Sequence, residues 1–270
     1  MGATQTTPLA VLRTAFSRSG YAQAESFLEQ RIDVHRIRAV RASIPIHDDE
    51  ESLACLPKTL VLSEPHAYVN AGAPYGNLSP WRMRVSVAER LAQAQAQLDV
   101  MRPGYCILVF DAFRPVAVQA HMIQNECDRL ARETKLLAFD QLISIDQDEI
   151  QARVMQFWAA PSEDAATPPP HATGAAVDVT IVDPHGEWLP MGTDIDDLTD
   201  KAYPSYFADK GGPYHTNRML LNEVMQQSGF HRNPIEWWHF SYGDQAWALI
   251  EALESPNKTV HAMYGAMPTD

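Results

Sequence analysis

The chain has 270 residues, 46% of them hydrophobic and 20% charged, with 34 acidic and 21 basic side chains and a formal net charge of −13. That length can bury a sizeable core as one domain with an appendage. A surface this acidic, with no basic stripe, repels phosphate backbones and speaks against nucleic acid as a partner.

No apolar run is long enough to cross a membrane. The N-terminal residues lack the basic, apolar, small-residue order of a secretory signal, so a cytoplasmic location is expected. Met1 to Thr6 fit the loose myristoylation pattern, without a second membrane signal beside it. Cys55, Cys106 and Cys127 are widely spaced, which suits buried thiols better than a disulfide framework or a cysteine zinc site.

Residues 1–34 read as a helical N-terminal extension, with Leu9, Leu12, Phe16, Phe27, Leu28 and Ile32 in an apolar stripe that Gly20 interrupts. Two uses remain open for it: packing on the remainder, residues 35–270, or homo-oligomerisation. From Ser86 the signals sharpen. Ser86-Val87-Ala88-Glu89 has the form of a capping box, and Ala88, Leu91, Ala94 and Leu98 follow at helical spacing up to Pro103-Gly104. Tyr105 to Phe110 reads as a buried strand, and Pro115 opens a helix running to about Leu137. A further helix is predicted over Asp146–Trp158, then a proline-stiffened loop to Pro170. Val177–Asp183 and Glu187–Met191 read as strands joined by a turn, and Gly192 opens a polar loop. Thr216–Gln227 is a predicted helix closed by Gly229, and Glu236–Tyr242 a last buried strand. Strands and helices mix without strict alternation, which defines an α+β class.

Three stretches carry chemistry. In His171-Ala172-Thr173-Gly174-Ala175-Ala176-Val177-Asp178, a strand from Val177 places Val177, Val179 and Ile181 on the core face and Asp178 on the other. His171 lies in the loop before it, and Gly174 lets the chain fold back, so an imidazole and a carboxylate converge as metal ligands. In Glu236-Trp237-Trp238-His239, an acid and a histidine among tryptophans are costly to bury without purpose. A metal held by His239, with Glu236 beside a water, supplies one. Asp111-Ala112-Phe113-Arg114-Pro115 places a guanidinium between a strand end and a helix start. Taken singly, each has a plainer reading: a hydrogen-bonded histidine, a strand-end cap, core tryptophans, or an Arg114–Asp111 ion pair. The combination favours a site.

Together these stretches resemble the zinc D-alanyl-D-alanine dipeptidases, the VanX-like branch of the D-Ala-D-Ala metallopeptidases. Leu189-Pro190-Met191-Gly192, Asn217-Arg218 and Ser228-Gly229-Phe230 add to the likeness, which spans roughly residues 55–245. The resemblance implies a Hedgehog/DD-peptidase-like zinc peptidase fold, with a mixed or antiparallel central sheet flanked by helices. It implies Zn²⁺ held by His171, Asp178 and His239, Glu236 as catalytic base, and Arg114 as transition-state stabiliser. Asp196 and Tyr68 would bind the amino group of a small D-amino-acid dipeptide. Two segments depart from the family: Pro169 and Pro170 stand where it usually has a serine, and Ala73-Pro74-Tyr75-Gly76 replaces an Asn-Phe-x-Gly segment. The alternatives are a zinc carboxypeptidase or endopeptidase acting on cell-wall peptides, and a non-catalytic zinc-binding module.

Overall fold

The computed structural model describes residues 7–268, so the Met1–Thr6 pattern lies outside the described residues. Three helices come first. The Thr7 side chain caps α1 (Pro8–Ser19), and Gly20 closes it at φ 77°, the left-handed region that glycine enters without steric cost. Helices α2 (Ala24–Arg31) and α3 (Val34–Ala42) follow, the latter capped by Asp33. Their apolar stripe is covered within the chain. Leu12, Phe27, Leu28, Ile37 and Val40 form a cluster with Ala248, Leu249 and Leu253 of the last helix.

The next elements are β1 (Leu53–Cys55), β2 (Val61–Leu62), the short α4 (Ala67–Asn70) and β3 (Arg82–Arg84). Helix α5 (Val85–Met101) buries Ala88, Leu91, Ala94 and Leu98, as their spacing predicts. The predicted capping box does not form, because the helix starts two residues earlier, at Val85, with Ser86 already inside it. Ser86 instead donates its amide and hydroxyl to the Glu51 carboxylate, at 2.7 and 2.9 Å. A distant carboxylate thus takes the place of the local cap.

Strand β4 (Cys106–Asp111) and helices α6 (Val116–Lys135) and α7 (Ser144–Phe157) match the predicted elements closely. Strand β5 (Ala176–Val182) is buried throughout. The strand expected over Glu187–Met191 is reduced to a bridge between Trp188 and Val182, made by bonds from the Leu189 amide to the Ile181 carbonyl and from the Asp183 amide to the Glu187 carbonyl. Pro190 has no amide to extend the ladder. Helix α8 (Pro213–Gln227) leads to β6 (His231–Arg232) and β7 (His239–Ser241), and α9 (Gln245–Glu254) closes the fold. The last strand is shorter than Glu236–Tyr242. A turn at Asn233, whose carbonyl accepts from the Glu236 amide, keeps the preceding residues out of the sheet.

The central sheet has five strands in the order β2-β4-β5-β7-β6, with β2 parallel to β4 and the other pairs antiparallel. A separate ribbon pairs β1 with β3. The sheet is therefore mixed and the class α+β. One sheet face is apolar: Ile107 and Val109 on β4 lie opposite Ile181 and Val179 on β5, and these residues share a core with Leu91, Leu98 and Leu221. No helix of the described residues is long and apolar enough to cross a membrane.

Candidate active site

Strand register assembles the site. Asp178 of β5 lies opposite His239 of β7. On its other side, a register shift after Val109 places Asp111, rather than Phe110, opposite Asp178. Residues directly opposite in a sheet share a face, so Asp111, Asp178 and His239 stand in a row across three strands. His171 enters from the 3-10 turn Pro170–Thr173 just before β5. Gly174 then turns the chain at φ 70°, where a Cβ would lie 2.5 Å from the Leu53 side chain.

The three predicted ligands come together, and all are buried. His171 Nδ1 is 2.7 Å from the Ala112 carbonyl, which as acceptor fixes the proton there and leaves Nε2 free as a donor to a metal. That Nε2 is 3.1 Å from His239 Nδ1 and 3.3 Å from Asp178 Oδ2; His239 Nδ1 is 3.0 Å from Asp178 Oδ1. A tetrahedral zinc with ligands at ~2.0–2.1 Å needs donor atoms about 3.3 Å apart. The set therefore fits such an ion in spacing and in chemistry. Burial works to raise the Asp178 carboxyl, but His171 and His239 overcome it and hold the group well below the usual carboxylate range. Burial likewise opposes charge on His239, and Asp178 reverses that, raising its pKa.

Glu236 places Oε2 4.0 Å from His239 Nδ1 and accepts a 2.6 Å bond from the Asn233 side chain. Its burial, opposed by His239 and reinforced by the Asp178 charge, lifts its pKa to about 7. That value suits a group which must both take and return a proton near neutrality.

Arg114 is buried and spends its donors on four partners. Nε bonds Asp111 Oδ2 at 2.9 Å and Nη1 bonds Gln119 Oε1 at 2.9 Å. Nη2 lies 3.1 Å from both the Tyr68 hydroxyl and Asp178 Oδ2. The guanidinium also sits 4.8 Å from the Tyr68 ring centre and 4.9 Å from that of Trp158. Its ion pair with Asp111 is thus real, yet the same side chain also reaches Asp178 of the three-donor cluster. Asp111 is itself held by His66 at 3.0 Å and by the Tyr75 hydroxyl at 3.3 Å.

Asp196 sits at φ 65°, unusual for a residue with a side chain, and accepts a 2.8 Å bond from the Tyr68 hydroxyl. Burial first, then the Asp178 charge, raise its pKa to about 8. The loop that carries it is pinned from behind. Buried Arg218 donates to the carbonyls of Met191, Tyr203 and Lys201 at 2.7, 2.8 and 2.9 Å, and Asn217 donates to that of Pro190 at 2.9 Å. The Asn217-Arg218 and Leu189–Gly192 segments thus act together, as a clasp.

The cleft in front of His171, Asp178, Glu236 and His239 has an opposite wall that no motif announced. Helix α3 lines it with Val34, Ile37, Arg38 and Arg41. Arg38 donates to the carbonyls of Met155, Gln156, Phe157 and Trp158, at 3.1 to 3.3 Å for the last three, and so caps the C-terminal end of α7. The signal available in the sequence was two arginines three residues apart, which place both on one helix face. His66 and Asn233 were also missed. Only the Asn233-Pro234 turn gave a local sign.

Residues 82–259 match a family model described as D-ala-D-ala dipeptidase. The chain belongs to that family. It is therefore a metallopeptidase. A D-alanyl-D-alanine dipeptidase of Synechocystis is 40% identical over 83% of this chain and 94% of its own length. One from Escherichia coli is 34% identical over 33% of this chain and 48% of its own. One from Enterococcus faecalis is 25% identical over 64% of this chain and 80% of its own. Among solved structures, a Zn(II) complex of a vancomycin-resistance D,D-pentapeptidase VanY variant aligns with a TM-score of 0.40 at 15% identity, over 66% of this chain and 83% of that one. The family match starts after Tyr68 and after α3, so one wall of the cleft is built from residues ahead of it.

Proposed function

We propose that the chain hydrolyses D-alanyl-D-alanine, or a similarly small D-amino-acid dipeptide, with zinc held by His171, Asp178 and His239. The observation that carries this reading is the buried three-donor cluster with the Glu236 carboxylate 4.0 Å from it, in a chain of the dipeptidase family. When bound, zinc supplies a Lewis acid toward the scissile carbonyl and lowers the pKa of a water toward ~7.

The side chains do the rest. Glu236 takes the proton of the attacking water and returns it to the leaving amine. Asn233 holds its carboxylate in place. Arg114, fixed by Asp111 and Gln119, aims N–H groups at the oxygen on which negative charge develops. Asp196 and Tyr68 face the substrate's ammonium group; a cation there would return the Asp196 carboxyl to its ionised form.

The test is amino-acid release by zinc-loaded protein from D-Ala-D-Ala, L-Ala-L-Ala and the mixed-chirality pairs, with Glu236→Ala as control. Release from D-Ala-D-Ala by wild type is expected, with a fall of ~10²–10⁴ in the variant at unchanged zinc content. Turnover of no member by protein shown to contain zinc would refute the reading, and full activity of the variant would remove Glu236 from its role.

A further inference from the structure

Three arginines reach the cleft. Two already have acceptors: Arg114 with Asp111, Gln119, Tyr68 and Asp178, and Arg38 with the carbonyls at the end of α7. Arg41, in the last turn of α3, differs. Among the described residues its guanidinium has no hydrogen-bond acceptor and no carboxylate within ion-pair distance. The acids that act on it through space, Asp244 and Glu236, are held by others. Asp244 accepts from the Ser241 hydroxyl and the Trp247 amide, both at 2.8 Å, and Glu236 accepts from Asn233. Burial is the largest influence on Arg41 and lowers its pKa against the pull of those two charges. A half-buried cation without a partner is costly to maintain, and a ligand anion relieves that cost. A charge on a last helical turn also suits the helix dipole, but that alone would not turn it into the cleft.

The cleft is thus bipolar. At one position the Asp196 carboxyl waits beside Tyr68, and at another Arg41 waits beside Pro170, next to the ligand His171. A free dipeptide has the matching form, with an ammonium at one end and a carboxylate at the other. We propose that Arg41 is a specificity-determining residue that binds the free C-terminal carboxylate of the substrate; this rests on the dipeptidase reading above. A further residue at that end would carry the carboxylate away from Arg41, so the arginine selects short substrates by charge as well as by space.

The experiment compares D-Ala-D-Ala with its C-terminal amide on wild type, Arg41→Gln and Arg41→Lys, zinc content being checked in each. Wild type should prefer the acid. In Arg41→Gln, KM for the acid should rise roughly 10- to 100-fold, the range of a charge-assisted hydrogen bond, with kcat and the amide little affected. Arg41→Lys should recover part of the preference. An equal loss on acid and amide, or no loss on either, would overturn the assignment. A wild type that turns over neither substrate would defeat the dipeptidase reading instead. Calorimetric titration of wild type and Arg41→Gln with the acid and the amide then decides the carboxylate site alone: a preference for the acid that the variant loses supports it, and equal binding of acid and amide by wild type overturns it.

Discussion

One wall of the cleft is sheet and the other is helix, and they are held by different means. On the sheet side, Asp111, Asp178 and His239 take their places from the register of β4, β5 and β7, where each strand is paired on both edges. On the helical side, α3 is held by side chains: an apolar cluster with α9, and the Arg38 guanidinium on the end of α7. Register moves only in whole residues, and a slip of one flips every side chain to the other face. A helix seated by side chains can shift by fractions of an ångström. The contrast suits a division of labour in which the sheet sets the chemistry and the helix tunes what is admitted.

That contrast can be broken from the sheet side first. His171→Ala should lose zinc outright, beyond the ~10–100-fold weakening seen when a second-layer partner is removed, with metal analysis as the readout. Stoichiometric zinc in the variant would take His171 out of the ligand set. A smaller but still large effect is expected at Arg114. Alanine there would leave the buried Asp111 and Asp178 charges short of a partner, so lysine is the cleaner probe. Arg114→Lys should keep zinc and lose ~10²–10³ in kcat; an unchanged kcat would show that the planar fork plays no part in turnover.

The smallest effect belongs to the helical side, and it depends on pH. His231 of β6 contacts Glu25 of α2 at 3.4 Å and Glu251 of α9 at 2.9 Å, with Arg232 also near Glu25 and Glu254 acting from α9. Burial opposes charge on His231, but the two glutamates prevail and raise its pKa from 6.5 to about 9. The stabilisation from this raised pKa is complete below 6.5 and lost as pH climbs through about 9. Thermal unfolding should therefore show a lower Tm at about pH 9.5 than at about pH 6, with His231→Gln flattening that difference. Identical slopes in the two proteins would show that the pair does not anchor the N-terminal helices.

Legibility in the sequence follows the same division. His171, Asp178, Glu236 and His239 could be read because each pair lies in one short segment at a strand end, where chain geometry alone brings it to one place. The helices α5, α6, α7 and α8 could be read because their apolar period is local. What escaped depends on distant partners. The β4 register shift that brings Asp111 beside Asp178 has no local marker, and Glu51 displaces the cap that the Ser86 to Glu89 pattern predicts. Arg41 belongs to a helix seated on α9, about two hundred residues on in the chain, and on the end of α7, and nothing near it says that it faces a cleft.

The placement of α3 also bears on how such an enzyme can be cut and recombined. A fragment trimmed to the family-matched span, residues 82–259, would keep the three-donor cluster of His171, Asp178 and His239, with Glu236 and Arg114. It would lack Tyr68, the β2 edge of the sheet and the whole helical wall, and it would bare the apolar side of α9 to water. The segment that identifies the lineage is therefore smaller than the unit that builds the cleft, and a chimera joined at its borders would inherit the three-donor cluster without the helical wall that faces it.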